Sequence, residues 1–96
     1  MKDVPTQNLE HFSMFLEIIT PETMLFSGEV RLVEVPGTKG PFVMLNRHAP
    51  ILSLLVKGTL RIVEESGRER NFEVAGGVVE NKENKIVALV QLPSES

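Results

Sequence analysis

The feature that most constrains this chain is a series of short apolar runs, separated by turn residues at regular intervals from Met14 onward. Spacing of this kind is typical of an all-β sandwich or barrel, and helical periodicity is not sustained in any segment. The first run ends at Pro21, because proline has no N–H to donate to a sheet ladder. The sequence therefore predicts an all-β fold, a flattened sandwich or barrel.

Length and composition predict a single domain. The chain has 96 residues and 42% hydrophobic content, and a chain of this size removes a little over ~60% of its unfolded surface from water, enough for one core. We expect an N-terminal arm at residues 1–13, because this segment is polar and contains Pro5. The β-sandwich domain is predicted at residues 14–92 and a C-terminal tail at residues 93–96.

Charge and composition exclude several classes of function. The net charge is −3, so the chain offers no broad positive field for phosphate backbones, and no nucleic-acid partner is expected. The absence of cysteine excludes a disulfide framework and thiolate metal sites. The apolar runs are far shorter than the ~20 residues that span a bilayer, so direct membrane insertion is not expected.

Two strand patterns lead to predictions about the core. Period-2 alternation places Val30 and Leu32 on one face, and it points Leu60 and Ile62 inward. Residues 51–56 and 86–92 are nearly continuous apolar runs, which we interpret as core strands. The pair Gly76-Gly77 predicts a bulge or a close backbone contact.

No pattern in the sequence indicates an active site. His11 and His48 lie in unrelated segments, and neither has a carboxylate at a recognisable ligand spacing. The segment 36–40 lacks the following helix and the lysine-hydroxyl pair of a phosphate-binding loop, so it is interpreted as a turn. We therefore expect no catalytic residue, no metal and no cofactor. From chemistry alone, His48 is either a partner contact or a structural histidine that hydrogen-bonds neighbouring backbone.

Seven segments, in order along the chain, resemble the epsilon subunit of the F-type ATP synthase. The resemblance extends from Phe15 to Leu92 without large gaps. The segments are Leu16–Glu22, Leu25–Val30, Val35–Gly40, His48–Leu52, Gly58–Ile62, Val74–Glu80 and Ile86–Leu89.

The resemblance implies a ten-stranded β-sandwich, the N-terminal domain of that subunit, at the foot of the rotating central stalk. Its implied partners are the gamma subunit and the polar loops of the membrane c-ring. Its implied role is to help couple proton or sodium flow to ATP synthesis without a catalytic site of its own, as a peripheral part of the complex at the cytoplasmic face of the bacterial inner membrane. The alternative is a free-standing β-sandwich that binds a peptide or a small ligand.

The resemblance also implies which residues contact the partners. Arg47 and His48 are expected to be polar anchors, and Phe42 is either a contact or a core side chain. Four positions depart from the family pattern: Val43 replaces a glycine, Asn46-Arg47 replace Pro-Gly, and Pro41 replaces an acid that faces the c-ring. The predicted partner-binding residues are Gly40, Pro41, Phe42, Arg47, His48, Ala49 and Pro50.

Typical bacterial relatives continue into a two-helix C-terminal domain, whereas this sequence ends at Ser96. We expect this short form to lack helix-mediated inhibition of ATP hydrolysis. We likewise expect no ATP binding by that route.

Overall fold

The computed structural model describes residues 14–47 and 49–94, which form eight β-strands and contain no helix. The all-β sandwich is thus confirmed, although the described residues hold eight strands and not ten. The predicted arm at residues 1–13 lies outside the described residues. The strands are β1 (Met14–Ile19), β2 (Met24–Gly37), β3 (Gly40–Leu45), β4 (Ile51–Leu55), β5 (Gly58–Glu64), β6 (Glu69–Val74), β7 (Gly76–Lys82) and β8 (Lys85–Gln91).

One reason for the lower strand number is the length of β2. It runs unbroken through Ser27 and Gly28 for 14 residues, so two apolar runs of the sequence form one strand. Its first half pairs with β1, and its second half pairs with β3 and β5. This long strand therefore joins the two layers of the sandwich.

The sheet is continuous and folds over at β2. The first layer holds the first half of β2 with β1, β8, β7 and β4, in which β1 and β8 are parallel. The second layer holds β3, the second half of β2, β5 and β6. Gly37 pairs with Leu55, which links the layers again at one end.

Inward-pointing side chains of both layers fill the core. Leu60 and Ile62 are fully buried, as the alternation predicts. The other buried apolar residues are Met14, Leu16, Ile18, Val30, Val33, Val35, Met44, Leu55, Val74, Val79, Ile86, Ala88 and Val90. Burial of apolar surface, at about 25 cal/mol per Å², is the main favourable term for a core of this kind.

The predicted alternation is wrong in the middle of β2. Val30 and Val33 are both fully buried, whereas Leu32 is only half-buried. The pairing of β2 with β5 shifts register between Val30 and Leu32. An extra residue in a bulge reverses the in-and-out phase of the strand, so Val30 and Leu32 do not share a face.

The interpretation of residues 51–56 and 86–92 as core strands is right for the inward positions and wrong for the outward ones. Leu52 is 72% exposed and Leu54 66%, while the following Leu55 is buried. In β8, Leu89 is 49% exposed between the buried Ala88 and Val90. Both strands obey period-2 alternation, and their outward positions carry apolar side chains. The outer face of the first layer is therefore unusually apolar.

The predicted close backbone contact at Gly77 is confirmed. A Cβ atom there would lie 2.9 Å from the Cα atom of Val90 and would overlap the carbonyl oxygen of Leu89. The register of β7 and β8 continues through Gly77 without a shift, so the feature is a close contact and not a bulge.

Candidate docking surface

Five apolar side chains form one row across the outer face of the first layer. Direct pairing joins Met24 to Ile19, Ile19 to Leu89, Leu89 to Val78, and Val78 to Leu54. Directly opposed residues of neighbouring strands point to the same face. These five residues, the apolar row, cross β2, β1, β8, β7 and β4, a span of roughly 19 Å at about 4.8 Å per strand.

The apolar row is accessible along most of its length. Met24 is 50% exposed, Leu89 49% and Leu54 66%, and Ile19 and Val78 are half-buried between them. Single exposed apolar side chains are normal on a soluble protein, but a continuous patch marks an interaction site. The row is therefore the strongest candidate for a binding surface on this layer.

A shallow depression of about 580 Å³ lies at one part of the apolar row, lined by Ile19, Val78, Leu89 and the neighbouring Thr20. The turn after β1 shapes its wall. The hydroxyl oxygen of Thr20 accepts hydrogen bonds from the backbone N–H groups of Glu22 (3.2 Å) and Thr23 (3.0 Å), which closes the turn tightly. The end of β1 is thus held rigidly beside the row.

A second row on the same face alternates acidic and apolar residues. Leu52 pairs with Glu80, Glu80 with Val87, and Val87 with Glu17. Glu80 is exposed and Glu17 half-buried. This acidic row borders the apolar row on one side, so the face combines an apolar strip with a negative margin.

The structure divides the predicted partner-binding residues into two groups. Gly40, Pro41 and Phe42 begin β3, whereas Arg47, Ala49 and Pro50 follow its end. β3 has six residues, so its first and last residues, Gly40 and Leu45, lie roughly 17 Å apart at about 3.4 Å per residue. The predicted residues therefore lie at the two ends of β3.

The first group lies at the turn between β2 and β3. Pro41 is exposed, and Gly40 has φ 116°, a backbone conformation that favours glycine. Phe42 is half-buried and packs against the core, so of its two predicted positions, a partner contact or a core side chain, it occupies the second. Thr38 and Lys39 form the exposed tip of the turn. Because Gly37 pairs with Leu55, this turn lies beside Leu54, one end of the apolar row.

A depression of about 630 Å³ beside this turn carries a charged pair. The Nε of Arg61 donates a hydrogen bond to Oε1 of Glu34 at 2.8 Å, and its Nη1 lies 3.7 Å from Oε2 of Glu69. The hydrogen bond to Glu34 raises the pKa of Arg61 above its ordinary value, so this guanidinium is always charged. Since the pair is partly exposed, its contribution to stability is small.

The second group lies in the connection between β3 and β4, residues 46–50, which we call the corner segment. Arg47, Ala49 and Pro50 are exposed, and His48 lies outside the described residues. Arg47 has φ 66°, left-handed backbone that is uncommon for a residue with a side chain. The corner segment is at the opposite end of β4 from the apolar row's Leu54.

The described residues contain no group of three or more His, Cys, Asp or Glu side chains placed to hold a metal ion. Within residues 14–47 and 49–94, no helix is long and apolar enough to cross a membrane.

Sequence reasoning missed the apolar row in part because two of its members, Leu54 and Leu89, lie in runs that we interpreted as core strands. The sequence did contain a signal for this face. In β4, Leu52 and Leu54 point to the face opposite to that of Leu55, and in β8, Leu89 points to the face opposite to that of Ala88. Apolar residues at both phases indicate a strand that is covered on both faces. In this structure one of those faces is open.

The fold and this surface define a small β-sandwich domain with an exposed apolar outer face. Comparison with known proteins identifies the family. Residues 13–92 match the β-sandwich domain of the ATP synthase delta/epsilon chain, and the chain belongs to this family. The predicted resemblance is therefore confirmed.

Individual relatives agree with this membership. The chain is 40% identical over 76 residues to the ATP synthase epsilon chain of Chlorobaculum tepidum, covering 79% of this chain and 86% of the relative. It is 41% identical over 76 residues to the ATP synthase epsilon chain of Nitratiruptor sp., covering 79% of this chain and 59% of that relative. The expectation of a non-catalytic subunit of the ATP synthase agrees with this membership.

Solved structures share the fold. A chain of the Euglena gracilis mitochondrial ATP synthase, in an OSCP/F1/c-ring assembly, matches 82% of this chain with a TM-score of 0.78 and 15% identity. A chain of the Tetrahymena thermophila mitochondrial ATP synthase central stalk and c-ring matches 81% with a TM-score of 0.67 and 22% identity. The matches cover 51% and 63% of those chains, and at these identities they establish the fold alone.

Proposed function

We propose that this chain is a central-stalk rotor subunit of the F-type ATP synthase that binds the gamma subunit and the c-ring. In this role it helps couple transmembrane proton or sodium flow to ATP synthesis, at the cytoplasmic face of the bacterial inner membrane. The observation that carries the proposal is the apolar row, an exposed docking surface on a domain of the ATP synthase delta/epsilon family.

We assign the apolar row to the contact with gamma. A rotor subunit must stay attached while torque passes through the stalk, and burial of apolar surface supplies a non-directional attraction of about 25 cal/mol per Å². The row is flat and crosses five strands, which suits a protein face better than a small ligand. Glu17 and Glu80 in the neighbouring row favour a gamma surface that carries basic side chains beside its apolar area.

We assign the β2–β3 turn to the c-ring. Its exposed tip, Thr38 and Lys39, is polar, and Pro41 beside it is exposed. Polar loops are suitable partners for such a tip, because its side chains remain solvated or hydrogen-bonded on contact. The turn lies beside Leu54 at one end of the apolar row, so one subunit can touch both partners. The corner segment, with Arg47 and His48, extends the contact from the other end.

The alternative of a free-standing peptide or ligand binder has one feature in its favour, the depression of about 580 Å³. Its lining includes Ile19, Val78 and Leu89, which belong to the apolar row. The depression is thus a part of the larger docking face, and we assign it to the same partner.

The proposal is tested by introducing a charge into the apolar row, with a matched control on the other layer. Leu54 and Leu45 are exposed by 66% and 52%, and they lie on the outer faces of different layers. We expect Leu54→Glu to weaken binding to a purified gamma–c-ring assembly by at least about tenfold, the effect of a central interface residue. Leu45→Glu is expected to bind as the unmodified chain does.

Thermal unfolding of both variants serves as the control for folding. Each glutamate replaces an exposed side chain, so both melting midpoints are expected to stay within a few degrees of the unmodified value. Equal affinity of Leu54→Glu and Leu45→Glu for the rotor would contradict the assignment of the apolar row. Failure of the unmodified chain to bind at all would contradict the proposed function.

A further inference from the structure

The described residues contain three methionines, and these differ sharply in exposure. Met24 is 50% exposed, whereas Met14 and Met44 are both fully buried in the core. Peroxides oxidise a methionine thioether most readily where solvent reaches the sulfur. Among these three residues, Met24 is therefore the one that is open to oxidation.

Met24 is also a member of the apolar row. It pairs with Ile19, which pairs in turn with Leu89, so its neighbours continue the row across the outer face. The register of β1 and β2 shifts between Ile18 and Ile19, and this shift places Met24 directly opposite Ile19. Ile19 and Leu89 also line the depression of about 580 Å³. The exposed thioether thus belongs to the surface that we assign to gamma.

The turn before Met24 holds its backbone in place. The N–H of Thr20 donates a hydrogen bond to the carbonyl oxygen of Thr23 at 2.8 Å, and the N–H of Thr23 donates to Oγ1 of Thr20 at 3.0 Å. Met24 begins β2 directly after this closed turn. Because the main chain is held there, a chemical change in the Met24 side chain alters the surface and leaves the strand in position.

Oxidation changes the Met24 side chain from apolar to polar. Hydrogen peroxide transfers one oxygen atom to the sulfur: the O–O bond breaks, an S–O bond forms, and water leaves. The sulfur is oxidised by two electrons, and the peroxide is reduced by the same two. The sulfoxide oxygen accepts hydrogen bonds, so it is more stable in water than against an apolar partner surface.

We propose that Met24 is an oxidation site that controls docking: its sulfoxide weakens the attachment of the chain to gamma, and docking shields its thioether from peroxide. The inference rests on the proposed function, because it assumes that the apolar row contacts gamma. A polar group that is buried at an interface without a hydrogen-bond partner weakens binding by roughly tenfold. Methionine sulfoxide reductases restore the thioether, so the effect is reversible.

The test treats the free chain with dilute hydrogen peroxide and locates the added oxygen by mass spectrometry of its peptides. We expect Met24 to gain one oxygen atom at least about tenfold faster than Met14 and Met44. The melting midpoint of the chain oxidised at Met24 is expected to stay within a few degrees of the untreated value, because this side chain is exposed. Its affinity for a purified gamma–c-ring assembly is expected to fall roughly tenfold.

Met24→Leu is the matched control, since it keeps an apolar side chain and both buried methionines but removes the exposed thioether. This variant should bind the rotor as the unmodified chain does, and peroxide should leave its affinity unchanged. Treatment of the oxidised chain with methionine sulfoxide reductases should restore the lost affinity. In the bound chain, Met24 should be oxidised more slowly than in the free chain.

The outcomes separate the inference from the function on which it rests. A loss of affinity that Met24→Leu prevents and the reductases reverse supports both. Equal losses for Met24→Leu and the unmodified chain, unchanged affinity after complete oxidation of Met24, or equal oxidation rates at the three methionines would each overturn the inference and leave the proposed function intact. No binding by the untreated chain overturns the proposed function, and the docking role of Met24 with it.

Discussion

Substitution of Gly77 by alanine tests how the first layer is packed beneath the apolar row. Gly77 has φ 154°, and its missing Cβ would overlap the carbonyl oxygen of Leu89 and lie 2.9 Å from Cα of Val90. Both neighbours are backbone atoms of β8, so they cannot rotate away as a side chain would. The strand must move or the ladder must open.

The neighbouring glycine provides a matched control. Gly76 has the same φ of 154°, but a Cβ there would meet only the carbonyl oxygen of Leu55 at 3.4 Å, an ordinary contact. Gly76→Ala therefore measures the conformational cost alone, about 1–3 kcal/mol. Gly77→Ala adds the steric conflict, about another 1–3 kcal/mol for an overpacked site.

The assay is thermal unfolding of the two variants and the unmodified chain, followed by circular dichroism. A loss of 1 kcal/mol lowers the melting midpoint of a domain this size by about 4–8 °C. We therefore expect Gly77→Ala to melt roughly 10 °C below Gly76→Ala. Equal midpoints for the two variants would refute the reasoning, because the conformational cost is common to both.

Two further substitutions test the account of the interior and of one surface cluster. Asn81 is 1% exposed, and its side-chain nitrogen and oxygen make no hydrogen bond with the described residues. Asn81→Val should therefore raise the free energy of unfolding by about 1–2 kcal/mol in denaturant titration. A decrease would mean that the amide has a favourable partner. The guanidinium carbon of Arg70 lies 5.3 Å from the ring centre of Phe26 and 5.2 Å from that of Phe72, and Nη1 is 3.6 Å from Oε2 of Glu64. Arg70→Ala is expected to lower the free energy of unfolding by about 1–2 kcal/mol in the same titration, and Arg68→Ala, at an exposed position, by less than about 0.5 kcal/mol. Equal losses would mean that the contacts of Arg70 with the two rings and Glu64 do not stabilise the fold.

The strands and their turns were predictable because their signals are local. Pro21 ends the first run, Gly58 opens β5, and period-2 alternation places Leu60 and Ile62 in the core. The bulge beside Arg31 was not predictable, because its position depends on how β2 pairs with β5. Local sequence determines that a strand forms, whereas pairing with the neighbouring strand determines which of its residues point into the core.

The candidate surface was harder to predict than the fold. The resemblance assigns both Pro41 and Pro50 to partner binding, and the structure places them at the two ends of the extended strand β3. Leu54 and Leu89 read as core because apolar residues occupy both phases of their strands, and their exposure depends on what covers the sheet. The hydrogen bond from the backbone N–H of Arg47 to Oδ1 of Asn84 spans 37 residues, and no periodicity signals a contact of that kind.

The central claim, that this chain is a rotor subunit, is tested most directly by co-purification from its native host. The chain is tagged at its C-terminus, and bound proteins are identified and quantified under mild conditions. The account predicts that the gamma subunit is recovered in near-equal amount together with the c-ring, and that Leu54→Glu reduces the recovery of both. Recovery of the chain alone or with unrelated proteins would contradict it.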